Sequence, residues 1–428
     1  MSGVRRMGAS ALGSSLVVVF CASCATTNAQ QNRSSDELSR ESEAAARAEG
    51  SRATREQQER GVAALRALLA RESSATLSER SFEAGEDFRG SVASAGDVTV
   101  SRIEGAYTVR FSIGTTQPVD CFVFDRPADL ANAIRTMYER LRRDFVRSAI
   151  LSTDAGFVSN NPFVEASVLY TVNAGGRIAP GSVKIRSLTS GERSVVCVHD
   201  EPGYRATFHR ALTPLFRNGT RSARDANYVA SLNDHNVGVM MLRFREEGEV
   251  TTEVTLDSML LTRGEADLTS IDKATIEQYS RAGALASQRE VENENSTVSD
   301  NQWEREASTL RYSFAGTHLG RPLRGVVTAH EELRAGTPTV AAFARRALSS
   351  ASGSVAPLEY ERFNHSNPLT VRRDRIELDR REDGTRVWLN LVSAQRTLRV
   401  LMNADGLPDE IQMQVGRVML RMRRSASQ

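Results

Sequence analysis

The side chains most suited to chemistry in this chain are six histidines and four cysteines. The densest group is Cys197, His199, Asp200 and His209. A thiol enzyme needs a thiolate, a histidine within hydrogen-bond reach to activate it, and an acid to orient that histidine. On a strand, Cys197 and His199 point to one face, with side chains starting about 7 Å apart. The group also offers a thiolate, two imidazoles and a carboxylate, which are metal-ligand types in no recognised spacing. Against this stands a structural reading: a buried strand cysteine, a histidine at the strand end, and His209 on the solvent face of a helix. We adopt the structural reading, with a thiol- or metal-dependent enzyme using Cys197, His199 and His209 as the alternative. The expected assignment therefore contains no catalytic, cofactor-binding or metal-ligating residue and no cofactor.

Other chemistries are excluded more directly. The only lysines are Lys184, which precedes Ile185, and Lys273, which precedes Ala274, so no phosphate-cradling Gly-Lys-Ser/Thr loop exists. There is no Gly-x-Ser-x-Gly elbow and no pair of zinc-spaced histidines flanking a glutamate. Ser270-Ile-Asp-Lys273 matches Ser-x-x-Lys without a Lys-Thr-Gly partner and reads as a polar helix turn. His318 and His330 fall in separate strands, and His235 reads as a turn residue. Asn403-x-Asp405-Gly406-x-x-Asp409 has oxygen ligands but lacks the closing glutamate of a calcium loop, so it reads as a hairpin turn. The arginines at 372–375 and 380–381 are interleaved with Asp374, Glu377 and Asp379, the pattern of a salt-bridged strand pair. With 55 Lys+Arg against 53 Asp+Glu and only two tryptophans, neither a global field nor a stacking platform favours nucleic acid.

Residues 1–24 combine Arg5 and Arg6, a short apolar run from Leu16 to Phe20, and small residues. That is the pattern of a secretory signal peptide, too short to span a membrane. Ala22-Ser23-Cys24 resembles the lipobox of bacterial lipoprotein precursors, with Cys21 where leucine is usual. The resemblance covers the leader alone and implies lipidation at Cys24. It places the protein in the bacterial cell envelope, lipid-anchored on the periplasmic or outer surface. Ordinary cleavage after Thr27-Asn28-Ala29, giving a secreted protein, is the alternative. Outside the leader only Cys121 and Cys197 remain. In an oxidising compartment they can form a disulfide; otherwise each is a small buried hydrophobe.

The chain length of 428 residues predicts two or three domains. Residues 25–80 read as a polar linker with a helix at about 55–72, where Val62, Leu65, Leu68 and Leu69 share a face. An α+β domain spans 81–262. Its strict alternation at Tyr107–Ile113 and Val164–Val172 predicts strands, and Leu130 to Phe145 and Tyr204 to Phe216 predict helices. Asp125-Arg-Pro127 answers Glu201-Pro202, so an internal duplication of a strand–strand–strand–helix unit is one reading; two ordinary strand-to-helix junctions are the other. A hairpin at 237–261 closes this domain.

A helix over Leu268–Ala286 and a linker at 288–301 are expected in 263–302. The last domain, 303–428, is mainly β with one helix at 338–349, for which Thr337 is the expected cap. Its late strands and the turn Ala404-Asp-Gly-Leu-Pro408 resemble the half-barrel sheets of periplasmic lipoprotein carriers. The fold class is thus α+β: two units with mainly antiparallel curved sheets and a few packed helices behind a disordered or helical stalk. The function expected is non-enzymatic binding or scaffolding of an envelope protein or an apolar ligand.

Overall fold

The computed structural model describes residues 59–60, 62–124, 129–190, 193–216, 225–307, 309–350, 353–394 and 396–425. The leader, Cys24, the linker to residue 58 and the Asp125-Arg-Pro127 step lie outside the described residues.

A helix over 62–69 (α1) precedes a hairpin of β1 (Ser78–Glu83) and β2 (Arg89–Ser94). Seven strands then form one antiparallel sheet: β3 (Thr99–Ile103), β4 (Ala106–Phe111), β5 (Val119–Phe124), β6 (Arg147–Val158), β7 (Asn161–Ala174), β8 (Arg177–Ser190) and β9 (Arg193–His199). Helix α2 (Leu130–Arg142) separates β5 from β6; α3 (Arg205–Leu212) follows β9 and runs into a 3-10 turn over Thr213–Phe216. Across the sheet the order is β3-β4-β5-β9-β8-β7-β6.

Alternation decides the faces. Val109, Phe111, Val119, Cys121, Val195 and Cys197 meet α3 and the β1–β2 hairpin, where Phe82, Phe208 and Phe216 complete a core. Val168, Val183, Ile185 and Val196 turn the other way, onto Leu130, Ala131 and Ile134 of α2. Cys121 and Cys197 face each other on β5 and β9 and are joined by a disulfide, with Cα atoms 4.0 Å apart. With β6 left over, the strand order is symmetric about this pair, β3-β4-β5 answering β7-β8-β9. The helices are not: α2 and α3 lie on opposite faces, whereas a two-fold axis through β5 and β9 puts both on one.

The second sheet has fourteen strands. Eight run in sequence: β10 (Ala226–Leu232), β11 (His235–Glu247), β12 (Val250–Arg263), β13 (Asp267–Ser280), β14 (Leu285–Glu294), β15 (Thr297–Arg305), β16 (Arg311–His318) and β17 (Arg321–Thr328). After α4 (Gly336–Ser349) come β18 (Leu358–Phe363), β19 (Val371–Arg381), β20 (Arg386–Val392), β21 (Thr397–Asn403), β22 (Pro408–Val415) and β23 (Val418–Arg424). β10 pairs with β23, which joins the two meanders into one sheet. The hairpin at 237–261 therefore belongs to this second sheet rather than closing the first unit.

The expected helix at 268–286 and linker at 288–301 are corrected: this stretch is β13, β14 and most of β15. Leu268, Ile271 and Tyr279 are spaced like a helical face, but β12 and β13 pair continuously from Val250–Ser280 to Arg263–Asp267. The alternation was hidden because the buried side chains between them are polar: Lys273, Thr275 and Glu277.

The large sheet curls until its ends meet. Trp303 of β15 stacks on Phe363 of β18 at 5.0 Å between ring centroids, and its indole N–H donates to Pro368 O at 2.9 Å. Inside the curl, Val340, Phe343, Ala344 and Ala347 of α4 pack with Met240, Leu389, Val400 and Ile411. The two sheets meet directly, with β6 against β10 and β11, and also through α2, whose core includes Val239, Leu260 and Leu268 of the large sheet.

Candidate functional site

The group singled out by residue type does not assemble. Cys197 is spent in the disulfide, so it supplies neither a thiolate nucleophile nor a metal ligand. His199 Nε2 lies 3.2 Å from Thr115 Oγ1; burial and Lys184 push its pKa down to about 3, so it is a neutral core imidazole. Asp200 accepts from the Tyr170 hydroxyl. His209 is half-buried rather than solvent-facing, and Arg186 Nη1 donates to its Nδ1 at 2.6 Å. Arg186 in turn ion-pairs with buried Glu165, its Nε 2.7 Å from Oε2.

The other candidates are placed as follows. His330 Nδ1 is 2.8 Å from Glu361 Oε1, and His318 stands opposite Arg321 at the β16–β17 turn. His235 follows the Asn233-Asp234 turn, where both residues have positive φ. Asp405 and Asp409 are ion-paired to Arg424, and Asn403 donates to Asp409, which leaves a braced hairpin. Arg372, Arg375, Arg380 and Arg399 pair with Asp374, Glu377, Glu382 and Asp379. Ser270 and Lys273 are three apart on a strand and so point to opposite faces, not along a helix turn. Among the described residues no group of three or more His, Cys, Asp or Glu could hold a metal ion.

What the structure does assemble is a polar grid on the inner face of the large sheet. Register places Asp257, Lys273 and Glu292 in one row across β12, β13 and β14. Thr255, Thr275 and Glu290 form the next, and Glu253, Glu277 and Gln288 the third. All but Glu292 are buried, while Val254, Leu256 and Ile276 on the opposite face are half-exposed. The strands are inverted relative to an ordinary one-sided sheet.

Charge decides how this grid is held. Lys273 Nζ lies 2.8 Å from Glu290 Oε2, and His365 Nδ1 lies 3.1 Å from the same oxygen. Burial alone would raise Glu290, but these neighbours hold it well below the usual carboxylate range. His365 and then Lys273 supply that lowering, while burial pushes the pKa of His365 itself down. Asp257 Oδ1 and Thr275 Oγ1 have no hydrogen-bond partner among the described residues. Burial pushes Asp257 up to about 7 despite Lys273 opposite it.

Glu253 and Glu277 face each other on adjacent strands. Burial and then Glu277 push Glu253 up to about 8, so a neutral acid faces Glu277. Acid–base enzymes use such pairs, but they keep an oxygen free for substrate. Here Glu253 accepts from Thr337 Oγ1 (2.6 Å) and the Tyr279 hydroxyl (3.2 Å). Glu277 accepts from Arg362 Nη2 (2.8 Å) and the Gly336 N–H (3.3 Å). The pair is an anchor for the N-terminus of α4, not a reaction centre.

Carboxylates remote in sequence serve the other helices too. Asp272 accepts from the Ala131 and Asn132 N–H groups at the start of α2, at 3.1 and 2.8 Å. Glu72, just after α1, accepts from the Ala206 and Thr207 N–H groups of α3, both at 2.8 Å. None of α2, α3 and α4 has a side-chain cap from its own N-cap residue. Free N–H groups and the helix dipole both favour an anion at that end. Thr337, the expected cap, instead donates its hydroxyl to Glu253.

Both lysines are buried. Lys184 Nζ donates to Glu201 O and Gly203 O, each at 2.6 Å, and Lys273 sits in the polar grid. A compact ammonium fits between carbonyls where a planar guanidinium does not.

The fold and site define an antiparallel β protein: a small disulfide-linked sheet beside a curled sheet that encloses a helix and a polar inner face. No protein-family model and no curated protein matches the chain. Among solved structures, a crystal structure of a beta-barrel-like protein of the domain of unknown function DUF1849 from Brucella abortus is similar to part of it. The likeness has a TM-score of 0.36 and 11% identity, and covers 47% of this chain and 95% of that one.

Proposed function

We propose that this chain is an exported envelope protein, tethered through acylated Cys24, that acts by binding a partner protein rather than by catalysis or carriage of an apolar ligand. The observation that carries this reading is α4. Its apolar face fills the inside of the curled sheet, where an apolar cargo would otherwise lie. The carboxyls of the Glu253–Glu277 pair are both committed to holding that helix in place. The Cys121–Cys197 disulfide suits an oxidising compartment, in line with the leader. No helix among the described residues is long and apolar enough to cross a membrane, so attachment is assigned to the lipid.

The test is mass spectrometry of the chain isolated from its native host. Expected are loss of residues 1–23, a diacylglyceryl-modified Cys24, and no other organic-extractable molecule. An intact Met1, or a stoichiometric apolar molecule released on unfolding, refutes the reading.

A further inference from the structure

β3 is an end strand of the seven-stranded sheet, and all five of its residues are exposed. Ile103 pairs with Ala106 across the two-residue turn Glu104-Gly105. In such a hairpin the flanking pair exchanges both hydrogen bonds and the pattern alternates from there. Ile103, Ser101 and Thr99 therefore spend their backbone groups on β4, while Val100 and Arg102 direct theirs outward. Edges of this kind are usually guarded by lysine, proline or a bulge. This one reads Thr-Val-Ser-Arg-Ile and has no such guard except Arg102, which lies over the Tyr107 ring at 5.5 Å. β17, an end strand of the larger sheet, carries Pro322 and two arginines.

Beside this edge, on the α2 side, runs a groove of about 550 Å³. Ser101 and Ile103 of β3, Phe122 of β5, and Met137, Arg140 and Leu141 of α2 line it. Arg110 in its wall is neutralised by Asp120, with Nε 2.6 Å from Oδ1. Arg140 has no ion pair among the described residues, whereas its helix neighbours Arg135 and Arg142 pair with Glu139 and Asp267.

We propose that an extended segment of a partner protein, with β-branched and acidic side chains together on the face turned to α2, adds as a further strand to β3. Its alternate side chains enter the groove, and a carboxylate reaches Arg140. The edge supplies outward donors and acceptors at Val100 and Arg102, the groove supplies apolar walls, and the unpaired cation sets the sign of the partner. A second copy of this chain fits less well, because β3 itself, Thr-Val-Ser-Arg-Ile, carries no carboxylate to meet Arg140. The inference rests on the reading of the chain as a partner-binding protein and names the surface and the chemistry.

The test is fluorescence anisotropy of the exported chain with a labelled synthetic peptide alternating threonine with valine and aspartate, which puts valine and aspartate on one face. Val100→Pro removes one outward N–H and leaves the ladder to β4 whole. It is expected to weaken binding about tenfold, the upper end for one hydrogen bond. Arg140→Glu is expected to weaken the aspartate peptide similarly and to restore affinity for a lysine-substituted one. If Val100→Pro fails to fold, Arg140→Glu with the charge-swapped peptide decides alone. The inference is overturned if wild type shows no saturable binding, or if both variants bind like wild type. It is equally overturned if laurate fills the groove and excludes the peptide in both, or if sedimentation shows a dimer that Val100→Pro dissolves. A failure here with Cys24 acylated and no apolar cargo released leaves the broader reading standing.

Discussion

Removing the Asp272 carboxylate is the sharpest test of how the two sheets are joined. This side chain belongs to β13 of the large sheet and caps α2, which packs on the small one; it also accepts from Ser258 Oγ at 2.6 Å. Asp272→Ala strands two helix N–H groups and a hydroxyl at a 5% exposed position. Loss of a cap costs about 1–2 kcal/mol and a stranded buried donor about 1–3, so about 3 kcal/mol is expected. Urea unfolding followed by tryptophan fluorescence and by circular dichroism should show a lower midpoint in both signals. Asp272→Asn keeps one acceptor and should lie between. The pH dependence gives a second readout. Burial pushes Asp272 up to about 6, against Ser258, Ala131 and Asn132, which pull it down. A carboxyl whose folded pKa lies above its ordinary 3.8 holds its proton more tightly when folded. Its contribution is therefore full at low pH and is lost as pH rises through about 6, a change of about 3 kcal/mol. Wild type should lose ground to Asp272→Asn over that interval. An Asp272→Ala midpoint equal to wild type refutes the reasoning, and a reversed pH trend shows that the three donors outweigh burial.

Four further outcomes are expected. Glu72→Ala should cost about 1 kcal/mol by uncapping α3, and limited proteolysis should then cut nearer residue 72. Because Thr207 and its neighbours hold the Glu72 pKa below its ordinary 4.5 despite the opposing effect of burial, that contribution is present above this value and is lost in acid. An amine-reactive ester should leave Lys184 and Lys273 unmodified in the folded chain and label both after denaturation, with peptide mass mapping as the readout. Removing Lys273 strands buried Glu290, so Lys273→Met should lower stability by about 3–5 kcal/mol in the same urea assay. Thiol titration of the folded protein should find no free Cys121 or Cys197. Reducing that bond opens a constraint between residues 76 apart and should cost about 2–4 kcal/mol.

Much of the local structure was legible because its signal is local. The alternation of Tyr107, Val109 and Phe111 and the Leu130–Leu141 spacing each name an element without reference to anything distant. The turn at Asp405-Gly406 is equally plain, since glycine readily takes its positive φ. The polar grid was illegible for the opposite reason. Glu253, Thr255 and Asp257 alternate with Val254 and Leu256 as a strand should, but alternation does not say which set faces in.

The amino-acid order by itself determined the antiparallel β character, helices beginning near 130, 204 and 338, the absence of the recognised catalytic motifs, and the two cysteines able to pair. Only the tertiary structure decided that they do pair, that the β10–β12 segment belongs with the C-terminal strands, and that Asp272, Glu72 and Glu277 cap helices far from them in sequence. Propensity and periodicity act within a few residues. A carboxylate finds a distant helix end only once sheet register and curl have carried both there, and that is a property of the whole packed chain.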